Sequence, residues 1–412
     1  MDLLTRRTFL VASGIVGAGA IAAGATAYSL RDILATAGDR PADAGTLVVL
    51  TLYGGNDGLN TVVPYADPAY RDARPELAYD AGEVLRLDDA TGLNPALKGL
   101  HRLYGEGRLA VVRGVGYPKP DRSHFRSMDI WQTAQPERPG TTGWLGRWLD
   151  GVGGDPRLAV SFEPVLPPLM AGATSAGAAV PLTGRKQAAK LAGVAGFGAA
   201  SAGEPALQAR AAACFADLRA VDAMITEVRE AGEADPDADE RETAPATGTG
   251  GRAELGAQLD LVAQCVEAGV ATRAYSVSLG GFDTHADERQ LQEILLGQVD
   301  TAVTAFVDRM AKSEPGRRVV VAVYSEFGRR VRANASEGTD HGTASNVFLL
   351  GAGVRGGLRG EAPSLTDLDD GDLKYGIDFR DVYATLVADV LGADPAPVLG
   401  GWRGRLGDLG AR

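Results

Sequence analysis

The chain has 412 residues, 45% hydrophobic and 23% charged, an ordinary globular composition that excludes disorder or a collagen-like repeat as its main state. With 41 Lys+Arg against 53 Asp+Glu the formal charge is −12, which repels phosphate backbones and anionic membranes and argues against nucleic acid as a partner. The 55 glycines imply many tight turns, and two cysteines are too few for a cysteine-built metal site.

Residues 1–37 read as a targeting segment and linker. Arg6 and Arg7 precede an uncharged, Ala/Gly-rich stretch over 8–30 that is too weakly apolar for a bilayer anchor, which predicts twin-arginine export. The mature protein is then expected in the periplasm or outside the cell, meeting the export machinery and touching membrane only through this segment. Small-x-small sites at 25–27 and 35–37 leave the cleavage point open.

The apolar run LVVLTLY at 47–53, closed by Gly54 and Gly55, predicts a buried parallel strand, and similar runs occur at 109–115, 274–279, 319–324 and 346–350. Leu291, Ile294, Leu295, Val299, Val303, Phe306, Val307 and Met310 recur at helical spacing and predict a helix over 287–312, and a second is predicted over 380–391. Strands alternating with helices imply an α/β domain over 45–400: a mostly parallel sheet sandwiched by helices, with ligands beyond the carboxyl ends of its strands. Residues 171–252, rich in Ala, Gly and Ser and then acidic, read as an insertion with a helix near 204–230. Cys214 and Cys265 lie 51 positions apart; the exported setting permits a disulfide without establishing one.

The residues able to carry chemistry cluster at predicted strand ends. Asp283 and His285 share one side of an extended segment and either chelate a cation or cap the next helix. Glu326, at a strand tip, is expected to be solvated, paired with Arg329 or Arg330, or metal-bound. His341 sits in a glycine-flanked loop, and Asp57 follows the first strand in what is either a turn or a ligand position. Ser123 opens a helix as cap or nucleophile; His124, its neighbour, is not automatically its base.

Through LYGGNDGLNTVVPY, RSHF, GGFDTH, SEFGRR, TDHG and FRDVYATL the chain resembles the exported domain of unknown function 1501 family, placed in the alkaline-phosphatase-like superfamily of phosphatases and sulfatases. The resemblance covers roughly 46–391 apart from the insertion. It implies Ser123 as nucleophile, Asp283, His285 and His341 at one metal, and Asp57 and Glu326 at another; a second metal or Arg122 is then expected to stabilise the equatorial oxygens of the transferred group. Two departures stand out. Asp283-x-His285 replaces a wider Asp/His spacing, and Glu326-Phe327-Gly328 stands where hydrolytic members have Asp-His-Gly. One or two divalent ions, Zn, Mn, Mg or Ca, are therefore expected. The implied function is metal-dependent hydrolysis of a small anionic phosphate or sulfate ester; the alternative is a noncatalytic exported binding or surface protein that keeps the fold.

Overall fold

Every residue of Thr46–Tyr53 is buried, as a strand covered on both faces requires. In the computed structural model, which describes residues 26–410 except 29, 42, 164–165 and 181–254, this segment is β2 of a ten-stranded sheet. The other strands are β1 (Thr26–Ala27), β3 (Leu109–Gly116), β4 (Ala159–Ser161), β5 (Ala178–Ala179), β6 (Ala274–Gly280), β7 (Val319–Tyr324), β8 (Ser345–Leu350), β9 (Gly357–Arg359) and β10 (Ile377–Asp378). Their order is β1-β5-β4-β6-β2-β7-β8-β3-β9, with β10 also on β3. Among these strands only β8 runs against the rest, pairing antiparallel with β7 and β3.

Alternation along β2 divides the core. Val48, Leu50 and Leu52 face one layer, α3 (Lys98–Gly105), α6 (Leu255–Glu267) and α7 (Glu288–Met310); Leu47 and Val49 face the other, α4 (His124–Thr133), α5 (Trp144–Gly151) and α8 (Phe379–Asp389). The expected α/β architecture is thus observed, with the predicted strands and the helices predicted over 287–312 and 380–391 within two residues of their bounds.

Three differences matter. Leu30–Leu34 is helical and Ile33 is fully buried, so the end of the presumed linker packs into the fold. Residues 178–179 form β5, so the sheet extends into the start of the presumed insertion; residues 181–254, with the helix expected near 204–230 and Cys214, lie outside the described residues, while Cys265 is buried in α6. On α7, Leu291 and Ile294 are 46% and 53% exposed, whereas Glu288 and Gln292 are buried. No described helix is long and apolar enough to cross a membrane, and residues 1–25 with the targeting motif lie outside the described residues.

Candidate metal centre

The adjacent strands β6, β2 and β7 end at one edge, where the chain turns into loops. After β2, Gly54 and Gly55 adopt φ of +117° and +73°, and a Cβ on Gly54 would lie 2.5 Å from Asp283 N, so only glycine lets these loops meet. After β6, Thr284 N donates to Phe282 O (2.9 Å) and His285 N to Asp283 O (3.3 Å), a tight fold that sets the Asp283 and His285 side chains together. Glu326 follows β7, His341 bridges to Arg329 in the loop that leads to β8, and His124 comes from the first turn of α4.

Three of the four histidines thereby surround Asp283. Asp283 Oδ1 lies 3.0 Å from His285 Nε2 and 3.2 Å from His341 Nε2; Asp283 Oδ2 lies 3.5 Å from His124 Nε2; the Nε2 atoms of His285 and His341 are 3.0 Å apart. Each outer ring nitrogen meets an oxygen that can only accept: His124 Nδ1 donates to Glu326 Oε1 (2.8 Å), His341 Nδ1 to Arg122 O (2.8 Å) and His285 Nδ1 to Asp340 Oδ1 (3.4 Å). In the neutral rings the protons therefore sit outside and the Nε2 lone pairs converge inside, the arrangement by which outer partners orient metal-binding imidazoles.

The residues fit a cation. His124, Asp283 and His341 offer ligand atoms that all lie within 4.8 Å of one another, His285 Nε2 adjoins two of them, and His124 Nε2 is buried without a hydrogen-bond partner. Burial opposes charge on His124, but the Asp283 and Glu326 carboxylates beside it outweigh that and raise its pKa to about 9. Burial would likewise raise Asp283, yet the neighbouring His124, His341 and Arg329 hold it well below the usual carboxylate range. The pocket favours positive charge.

Asp283, His285 and His341 thus come together as expected, and three expectations are corrected. Asp57 is not a ligand: Oδ1 caps α1 (Gly58–Thr61) through Leu59 N (3.0 Å) and Asn60 N (3.4 Å), and Oδ2 pairs with Arg74, both side chains fully buried. Burial opposes the Asp57 charge, but Arg74 outweighs it and lowers its pKa. Glu326 is not a ligand either, because Oε1 accepts from Gly54 N (2.9 Å) and His124, and Oε2 from Ser325 Oγ (3.0 Å); it orients His124 instead. The Arg122 guanidinium is engaged elsewhere, with Nε on Asp372 Oδ2 (2.8 Å) and Nη2 on Asp370 Oδ2 (2.9 Å); its carbonyl alone serves the centre. His124 joins Asp283, His285 and His341 as a further candidate ligand; its place beside Ser123 at a helix start is the signal the sequence carries.

Ser123 is exposed, gives its N–H to Asp121 Oδ1 (2.8 Å), and its hydroxyl makes no capping bond to α4. A cavity of about 770 Å³ shares Arg122 with the centre and is lined also by Tyr117, Lys119, Thr343, Lys374 and Tyr375.

No curated protein matches the chain. Similar solved structures include a protein in the alkaline phosphatase superfamily from Vibrio parahaemolyticus (10% identity, TM-score 0.43, covering 94% of this chain and 77% of that one). They also include a phosphonate monoester hydrolase of Agrobacterium radiobacter (12%, 0.35, 87% and 78%) and a 2-O GAG sulfatase (12%, 0.33, 87% and 75%). The family model described as Protein of unknown function (DUF1501) matches residues 111–411, which includes every residue of the candidate centre, and the chain belongs to that family.

Proposed function

We propose that this protein is a metal-dependent hydrolase of phosphate or sulfate esters with Ser123 as its nucleophile. The observation that carries the reading is the convergence of three Nε2 atoms on Asp283, each ring fixed by an outer oxygen, one residue from an exposed serine. A divalent cation held by His124, Asp283, His285 and His341 would supply Lewis acidity to an oxygen brought against it. Three imidazoles with one carboxylate suit Zn or Mn better than Mg or Ca, which take oxygen ligands.

Ser123 is held from both sides, since Arg122 O accepts from His341 and the His124 ring is bound by Glu326. Its hydroxyl stands at the amino end of α4, where unpaired N–H groups favour developing negative charge. In the reaction Ser123 Oγ bonds to phosphorus or sulfur as the bond to the alcohol oxygen breaks. The serine proton leaves with the alcohol, and water then splits the seryl ester and restores the hydroxyl. The cavity beside Arg122 has room for the alcohol portion. Export belongs to the same proposal, supported by Arg6, Arg7 and the uncharged stretch over 8–30. Ser123→Ala is expected to abolish hydrolysis of aryl phosphates and sulfates while bound metal stays unchanged; persistent turnover refutes the nucleophile.

A second reading, a cation-holding exported protein without turnover, is favoured by one observation. Asp57 and Arg122 are both neutralised by internal partners and offer nothing to a second ion or an anion. Metal bound by a protein inert toward the whole ester panel would select it.

A further inference from the structure

Arg329 is fully buried, and its guanidinium meets five acceptors. Nε donates to Gly55 O (2.6 Å) and Nη1 to Thr339 O (2.9 Å); Nη2 serves Gly54 O, Phe282 O (3.0 Å) and Asp283 Oδ1 (2.8 Å). These acceptors belong to three loops: the β2 turn whose Gly54 N–H holds Glu326, the 282–285 loop with Asp283 and His285, and the loop that carries His341. A buried guanidinium is costly to desolvate, and its rigid planar fork can satisfy acceptors from several directions at once. A scaffold role would be complete with the carbonyls. Arg329 goes further and takes Asp283 Oδ1, the oxygen that His285 and His341 also approach.

We propose that Arg329 is the positioning residue of the metal centre: it gathers the three ligand-bearing loops onto one guanidinium and fixes the spacing at which Asp283, His285 and His341 meet a cation. This rests on the metal-centre reading above. A positive charge beside Asp283 by itself opposes a second cation, so charge and geometry act in opposite directions and must be separated. Arg329→Lys separates them, because the ammonium keeps the charge but is a single donor atom that cannot span three loops.

The test is Zn²⁺ titration of the full chain, stripped of metal, as native protein, as Arg329→Lys and as Arg330→Lys. The Arg330 side chain pairs with Asp370 and Asp372 outside the centre. The expected result is a Kd about 10- to 100-fold weaker for Arg329→Lys, as for other outer-sphere metal partners, and an unchanged Kd for Arg330→Lys. Equal affinity in native protein and Arg329→Lys overturns the proposal while leaving the metal centre standing; no Zn²⁺ binding by native protein overturns both. If Arg329→Lys does not fold, hydrogen exchange of native protein decides. Zn²⁺ is then expected to slow exchange in peptides over 54–56, a loop with no ligand of its own, together with 282–285 and 339–342, and unchanged exchange over 54–56 overturns the proposal.

Discussion

A carboxylate's role depends on what already fills its lone pairs. Glu326 accepts from Gly54 N, His124 Nδ1 and Ser325 Oγ, so its work is to hold one imidazole in one tautomer and one orientation. Glu326→Ala removes both oxygens, and His124 loses its lock. Zn²⁺ affinity is expected to fall about 10- to 100-fold in a metal titration; an unchanged affinity would mean that His124 needs no such partner. In the sequence Glu326 and Asp57 look alike, each an acid just beyond an apolar strand. What separates them is Arg74, seventeen positions beyond Asp57 and in no motif, which takes the second oxygen and seals the pair in the interior. Arg122 was misread for the same reason: Asp370 and Asp372, about 250 positions away, occupy its guanidinium. The histidines were readable because there are only four and three border strands or a helix start.

At the scale of elements, β2 and β7 were legible because a strand buried on both faces must be apolar throughout. An apolar run carries no direction, so the reversal of β8 was not legible. The start of α7 misled in a more specific way. Periodicity turned Leu291 and Ile294 inward, yet this part of the helix lies over the polar loop after β2 rather than over the sheet. Gln292 Nε2 donates to Asp57 O (2.8 Å), and Glu288 accepts from Thr339 Oγ1. Burial and the neighbouring Asp57 charge raise the Glu288 pKa from 4.5 to about 9. Between those values the folded chain keeps a proton that the unfolded chain releases, so stability falls as pH rises through that window. Asp57, with its pKa lowered from 3.8, contributes stability that is present above that value and lost only as pH drops below it. From pH 5 to 9, then, Glu288 alone of the pair titrates. Glu288→Gln, neutral throughout, is expected to lose less stability over that range than the native chain in denaturant unfolding at the two ends; parallel losses would show that Glu288 is ionised in the folded protein.

Across the whole molecule, the proposed ligands come from segments that only the assembled sheet brings together: His124 from α4 after β3, Asp283 and His285 after β6, and His341 before β8. An unfolded chain has no such site, so a cation that binds the native state stabilises it by RT ln(1 + [L]/Kd), about 2.7 kcal/mol at a hundredfold excess over Kd. For a chain of this length that corresponds to a Tm higher by a few degrees. Chelation of protein purified with its metal is therefore expected to lower Tm by that amount, and Zn²⁺ or Mn²⁺ to restore it. His101 provides the internal control, because it lies on α3 with Nε2 2.9 Å from Arg86 O, apart from the other three histidines. His101→Ala should keep the full metal-dependent shift, whereas His124→Ala and His341→Ala should each remove most of it. A shift that survives in His341→Ala would mean that the stabilising ion sits somewhere other than at Asp283. If surface carboxylates held it, the shift should fade as ionic strength rises, whereas a shift from the centre persists because partly buried charges are screened less.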